Sequence, residues 1–148
     1  VHAALLFIDL DNFKPLNDRY GHNAGDLLLI EVAARLRSSL REMDSVARFG
    51  GDEFVVLIGE LASERDKSLA QAERIADKIR DTLAAPYFLT VSHDQQPPQS
   101  IEHHCTASIG ITLFDETRDN PDDLLKWADR AMYAAKEHGR NRLAFSSQ

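Results

Sequence analysis

Apolar and polar positions divide the chain into short blocks of distinct period. Ala3 to Leu10 is an apolar run bounded by acids, too short for a useful helix and suited to a buried strand that ends at Asp9 and Asp11. From Asp26 to Arg41 the apolar residues Leu27, Leu28, Ile30, Ala33, Ala34, Leu36 and Leu40 recur at helical spacing, with Arg35 and Arg37 among the polar positions. Ser45 to Phe49 and Glu53 to Ile58 are strand-like and are separated by Gly50-Gly51, a pair suited to the positive φ of a two-residue hairpin turn. A second amphipathic helix runs from Leu69 to Leu83, with Pro86 just past its end. Phe88 to Ser92 and Thr106 to Phe114 read as a second hairpin around the polar segment His93 to Ser100, where Pro97-Pro98 marks an exposed connection. Asn120-Pro121-Asp122 opens a last helix whose buried face is Leu124, Leu125, Ala128, Met132 and Ala135. Gly139 stops it, and Leu143 to Phe145 is a brief closing strand. Hairpins interleaved with helices predict an α/β (α+β) domain: a mostly antiparallel sheet covered by helices.

Length and charge narrow what such a sheet can do. The chain of 148 residues fits one domain with a real core. The single Cys105 cannot form an internal disulfide, which suits a reducing, cytoplasmic setting. A formal charge of -7 argues against broad binding to nucleic acid or anionic lipid, so a phosphate-bearing ligand needs a local pocket. No apolar run approaches the roughly 20 residues that span a bilayer, so direct membrane contact is not expected of this chain. Opening at Val1 directly in an apolar run, and closing on Ser-Ser-Gln, the chain reads as a fragment of a longer protein.

The acids at the strand ends are the first candidate chemistry. Residues two apart on a strand share a face, so Asp9 and Asp11 point one way while Leu10 offers that face only backbone; the same rule separates Asp52 from Glu53. If the first strand lies beside the Gly50-Gly51 hairpin, Asp9 and one of Asp52 and Glu53 converge. Converging carboxylates repel unless a cation sits between them, and hard oxygen ligands suit Mg²⁺ bridging to phosphates. Acids at strand ends are ordinarily just solvated, and on the residues alone that reading stands beside the metal one. Gly50-Gly51 lets backbone approach a ligand, though a plain tight turn uses the same dipeptide.

An ordered set of short motifs adds a resemblance. Phe7-Ile8-Asp9-Leu10-Asp11-Asn12-Phe13-Lys14, then Asn17-Asp18, Gly21-His22 and Gly25-Asp26, then Arg48-Phe49-Gly50-Gly51-Asp52-Glu53-Phe54, resembles the GGDEF family of diguanylate cyclases. Ser108-Ile109-Gly110, Ala128-Asp129 through Tyr133, Ala135-Lys136 and Gly139-Arg140-Asn141 extend the match from the first strand to the last helix.

The resemblance implies a single GGDEF domain over residues 1–148, without the segment that usually precedes the first strand. Its implied fold is a five-stranded, largely antiparallel sheet flanked by helices, ferredoxin-like and similar to polymerase palms and class III nucleotide cyclases. The implied reaction joins two GTP into cyclic di-GMP and two pyrophosphates across a pair of domains. Asp9, Asp52 and Glu53, with the Leu10 carbonyl, would hold Mg²⁺ or Mn²⁺, and Glu53 would help deprotonate the attacking 3′-hydroxyl. Asn17 and Asp26 would read guanine, Lys14, Lys136 and Arg140 would meet phosphates, and Gly50 and Gly51 would form a bare backbone wall. Lys14 joins Asp52 and Glu53 in the implied catalytic set, whereas Asp11 is left without a role. Without the resemblance, Asn17 and Asp26 could equally cap a turn and a helix, and Lys136 and Arg140 could be a dipole-compensating pair four residues apart.

Arg41-Glu42-Met43-Asp44 matches the family's Arg-x-x-Asp product-inhibition pattern, with Arg74 and Lys78 as candidates to complete that site; alone it would read as a surface ion pair. An upstream sensory domain and a following phosphodiesterase domain of the EAL type are implied partners. Two other readings stand beside the cyclase: a non-catalytic domain that binds GTP or cyclic di-GMP, and a dimerisation scaffold. Adjacent strand residues cannot all face one ion, so His103, His104 and Cys105 are read as structural. Trp127 and Tyr133 are read as packing residues and His22 as ordering its loop.

Overall fold

A computed structural model describes residues 2–92, 96–115 and 119–146. The expected opening at Val1, the His93 to Gln95 part of the polar connection and the closing Ser147-Gln148 lie outside the described residues. The elements are β1 (His2–Leu10), α1 (Phe13–Tyr20), α2 (His22–Ser39), β2 (Ser45–Gly50), β3 (Glu53–Leu61), α3 (Arg65–Ala84), β4 (Tyr87–Val91), β5 (Gln99–His103), β6 (Ala107–Asp115), α4 (Pro121–Glu137) and β7 (Leu143–Phe145). Five strands form one sheet in the order β2-β3-β1-β6-β7, antiparallel throughout except for the β6–β7 pair. The expected five-stranded, largely antiparallel sheet flanked by helices is the observed fold.

β1 is apolar on both faces because it is the middle strand. Ala4, Leu6, Ile8 and Leu10 join the larger core with α1, α2 and α3, while Leu5 and Phe7 face Leu124, Ala128 and Met132 of α4. The alternation that divides these residues continues to Asp9, which follows Phe7 onto the α4 side. Helix α4 lies close on β6 because Gly110 has no side chain. A Cβ there would run into the Ala128 carbonyl oxygen and the Met132 amide nitrogen.

Three features depart from the sequence reading. The Thr106 to Phe114 run does not pair with Phe88 to Ser92. It forms β6, buried from Ala107 to Leu113 on both faces and therefore fit only for the sheet interior, between β1 and β7. Its expected partner β4 instead pairs with β5, a strand of one buried residue, Ile101, set in polar neighbours. Helix α1 was not foreseen because Leu16 is its sole fully buried residue, so it carries no apolar stripe. The turn after β2 is Gly51-Asp52: Gly50 pairs with Glu53 as the last strand residue, and of the two glycines only Gly51 has positive φ, 38°.

Arg35, expected only as a polar position, binds the end of α3 to α2. Its guanidinium donates to the carbonyls of Thr82, Ala85 and Pro86 at 3.0, 2.8 and 2.7 Å and lies 3.6 Å above the Tyr87 ring. No helix among the described residues is long and apolar enough to cross a membrane.

Candidate active site

The C-terminal end of β1 meets the β2–β3 turn, the start of β6 and the end of α4. Asp9 pairs directly with Glu53 across β1 and β3, and the Leu10 amide donates to the Asp52 carbonyl at 3.2 Å. The Asp9 carboxyl is pushed up to about 7, first by burial, then by the Asp52 and Glu53 charges and a hydrogen bond shared with Asp52; Lys136 opposes the shift. Burial also raises Glu53, with Asp129 and Asp52 adding to it. Thus Asp9, Asp52 and Glu53 stand near one another at one sheet end, in an arrangement with surplus negative charge.

That donor set suits a magnesium-sized cation. Among the described residues no three acid, His or Cys side chains are already closed around one point. An open pair of carboxylates with room for phosphate oxygens is the usual Mg²⁺ arrangement, unlike a dedicated protein cage. The Asp9 to Glu53 cluster is thus an open set of oxygen donors whose chemistry fits such an ion.

Lys136, expected at phosphates, is held by acids. Its ammonium lies 3.0 Å from Asp11 Oδ1 and 3.7 Å from Asp9 Oδ1. Asp11 is only 1% exposed and accepts from Thr106 Oγ1 at 2.6 Å, Ser108 Oγ at 2.9 Å and the Asn141 amide at 3.1 Å. Burial alone would raise the Asp11 carboxyl, but the bonds from Thr106, Lys136, Ser108 and Asn141 outweigh it and hold it below the ordinary carboxylate range. Arg140 lies beyond α4, with φ 62°, so the pair Lys136 and Arg140 is not a helical i,i+4 pair. Its guanidinium makes no hydrogen bond among the described residues.

A second region forms between α1, α2 and β2. Asn17 sits inside α1, where its buried Oδ1 has no hydrogen-bond partner. The amide packs on Gly25, where a Cβ would overlap Asn17 Oδ1. Asp26 is exposed within α2, four residues after its start, so it does not cap that helix. It lines a cleft of about 510 Å³ with Leu29, Ala33, Arg37, Arg48 and Phe54. A buried unpaired carbonyl oxygen is costly, and an exposed carboxylate nearby on the same helical hairpin adds a second acceptor. Lys14 is exposed on the first turn of α1. A Cβ at Gly50 would meet only Glu53 Oε1, at 3.8 Å, and one at Gly51 nothing, so neither glycine is required by packing, whereas the positive φ of the turn favours glycine at Gly51.

Arg41 and Asp44 are self-paired ahead of β2. Arg41 Nε and Nη2 donate to the Asp44 carboxylate at 3.1 and 3.0 Å, and Nη2 also to the Gly59 carbonyl at 2.7 Å. Burial opposes but these bonds prevail, lowering Asp44. Arg74 and Lys78 are exposed on α3, and no hydrogen bond or ion pair joins them to Arg41 or Asp44. His104 pairs with Glu102 at 2.6 Å and Cys105 is buried. Trp127 packs on the α4-side core, whereas Tyr133 is 55% exposed. His22 is the first residue of α2. Sequence reasoning missed Asn141 and Arg80, which meet at 2.9 Å, and the role of Asp11; the Gly-x-Asn step after a helix was the available signal for Asn141.

Comparison with known proteins shows the family and the fold of the chain. The family described as "Diguanylate cyclase, GGDEF domain" matches residues 1–142. The bifunctional diguanylate cyclase/cyclic di-GMP phosphodiesterase MucR of Pseudomonas aeruginosa is 44% identical over 142 residues, 96% of this chain and 18% of MucR. Diguanylate cyclase TpbB of the same species is 47% identical over 137 residues, 93% of this chain and 28% of TpbB. The chain thus spans less than a third of each relative. The crystal structure of the TpbB GGDEF domain superposes with a TM-score of 0.82 at 44% identity, covering 99% of this chain and 83% of that one. An EAL/GGDEF domain protein from M. capsulatus gives 0.77 at 38% identity, covering 99% and 86%.

Proposed function

Because the chain belongs to the diguanylate cyclase GGDEF domain family, we propose that it binds one GTP and, facing a second such domain, condenses two GTP into cyclic di-GMP and two pyrophosphates. The observation that carries this reading is the convergence of Asp9, Asp52 and Glu53 at one sheet end beside Lys136.

In this reading guanine enters at Asn17 and Asp26. The orphan Asn17 carbonyl oxygen and the Asp26 carboxylate accept from N–H groups of guanine, which adenine does not present in the same pattern. Lys14, Lys136 and Arg140 take the phosphates, with the Gly50-Gly51 backbone against them. Asp9, the Leu10 carbonyl, Asp52 and Glu53 hold a divalent cation, Mg²⁺ or Mn²⁺, which when bound neutralises triphosphate charge and favours ionisation of the attacking hydroxyl. The 3′-hydroxyl of one GTP attacks the α-phosphorus of the other, and the bond to the bridging oxygen of the β-phosphate breaks. Pyrophosphate leaves, and Glu53 takes the hydroxyl proton. The same step repeated from the partner closes the ring. Each domain supplies one half-site, so orientation of two copies governs the rate. Arg41 and Asp44, with Arg74 and Lys78 on α3, are the proposed product-inhibition site. The bifunctional name of MucR and the EAL/GGDEF name of the M. capsulatus protein support an attached EAL domain, and a sensory domain before this module belongs to the same reading.

The test is incubation of the chain, fused to a dimerising coiled coil, with GTP and Mg²⁺. Cyclic di-GMP with pyrophosphate is expected, and Asp52→Ala should lower turnover at least about a hundredfold. GTP bound by the fused dimer without product would overturn the cyclase reading in favour of a nucleotide-binding regulatory domain.

A further inference from the structure

We propose that Asn141 is a positioning residue for phosphate binding: it locks the turn that carries Arg140, bonding Asp11 through its backbone amide and Arg80 through its side chain. The inference rests on the reading of Arg140 as a phosphate ligand. After α4 the chain runs through Gly139, Arg140 and Asn141 with φ of 123°, 62° and 48°. Consecutive left-handed residues are unfavourable for side chains other than glycine and, to a lesser degree, asparagine. Such a turn persists where its surroundings over-determine it.

The surroundings do so from two sides. On the sheet side, the Asn141 amide donates to Asp11 Oδ2 at 3.1 Å, and Ile109 N donates to the Arg142 carbonyl at 3.0 Å. On the helix side, Asn141 Oδ1 accepts from Arg80 Nη1 at 2.9 Å. The Arg80 guanidinium is itself aimed: Nε bonds Asp77 Oδ1 and Nη2 bonds Asp81 Oδ1, each at 3.1 Å, which leaves Nη1 directed at the turn. Those two acids lie on α3 with Arg80 and tie it only to its own helix. The bond to Asn141 is the one that crosses between elements. Asp11 meanwhile holds Lys136 at 3.0 Å, so both phosphate-facing cations hang on one frame. Lys136 is fixed by that frame directly, and Arg140 only through the turn. Arg80, outside the nucleotide site, thereby sets the direction of a cation inside it.

The experiment compares the parent chain with Arg80→Ala, Asn141→Ala and Asn141→Asp. Affinities for GTP and guanosine are measured by calorimetry, and exchange of the 139–142 amides by NMR without ligand. Loss of one charge-assisted bond should weaken GTP roughly five- to tenfold in Arg80→Ala and Asn141→Ala while guanosine affinity stays unchanged. Amide exchange in the turn should rise in both without ligand. Asn141→Asp, which keeps the acceptor and tolerates the left-handed backbone, should restore the parent values. The double variant Arg80→Ala/Asn141→Ala should lose no more than the larger single loss. Equal weakening of GTP and guanosine, or unaltered exchange, would overturn the clamp. Failure of the parent to bind GTP more tightly than guanosine would instead sink the phosphate-site reading, with the clamp still decided by exchange.

Discussion

Lys136 stands 3.0 Å from the buried carboxylate of Asp11 and 3.7 Å from Asp9, bridging a structural acid and a proposed metal ligand. Asp11 has four hydrogen-bond donors and almost no solvent contact, so removing its charge strands an ammonium. Asp11→Asn should therefore cost about 2–4 kcal/mol in urea unfolding. A double-mutant cycle with Lys136→Met should give coupling above about 1 kcal/mol. Coupling near zero would mean that the two residues contribute independently. The depressed Asp11 carboxyl also implies acid lability: its contribution is present above the ordinary pKa of 3.8 and is lost as pH falls through its folded value.

Asp9 behaves in the opposite sense. Its carboxyl is raised from 3.8 to about 7, so the folded state holds a proton that the unfolded state has released. Stability contributed at this site is fully present below pH 4 and declines as pH rises toward about 7, with a slope of at most about 1.4 kcal/mol per pH unit. Asp9→Asn should flatten that stretch of the unfolding-versus-pH curve. Added Mg²⁺ with GTP should reverse the decline in the parent, since the ion takes the proton's place. A parent curve already flat between pH 4 and 7 would contradict the crowding of the three acids.

Much of this layout is legible in the residues. The run Ala3 to Leu10 reads correctly as a buried strand because β1 is apolar on both faces, and the Asp52-Glu53 acids read correctly as its neighbours. The failures are equally physical. Helix α1 is held by Leu16 and by its neighbour α2, a tertiary cause without local period. The pairing of β6 depends on burial from both sides, which an apolar run alone does not distinguish from a hairpin strand. Asp11 could not be assigned because its partners, Thr106, Ser108, Lys136 and Asn141, lie some hundred residues away and meet it only in the fold.

Gly25 has a role that its sequence neighbourhood conceals. A Cβ there would occupy the place of Asn17 Oδ1, so Gly25→Ala must displace the amide from its present position. Asn17 is the proposed reader of guanine, and its displacement should cost GTP about tenfold in affinity, narrowing the preference over ATP. Competition binding with both nucleotides checks this. Unchanged selectivity with the parent's unfolding midpoint would remove Asn17 from the recognition set.

Arg41 is a harder case because it is already satisfied. Its guanidinium is spent on the Asp44 carboxylate and the Gly59 carbonyl, and the Asp44 side chain is 1% exposed. A cyclic dinucleotide binding there competes with an existing pair, unless it uses the outward edge of Arg41, whose side chain is 44% exposed. Arg41→Ala should therefore have two separable effects. It should raise the product concentration needed for half-inhibition about tenfold or more, since a forked arginine–phosphate contact is lost. It should also cost about 1 kcal/mol of stability and not more, because the Asp44 carboxylate keeps its bonds from the Arg41 and Gly59 amides, at 3.0 and 3.3 Å. An unchanged inhibition curve together with that stability loss would leave Arg41 and Asp44 as a structural pair bracing the entry to β2.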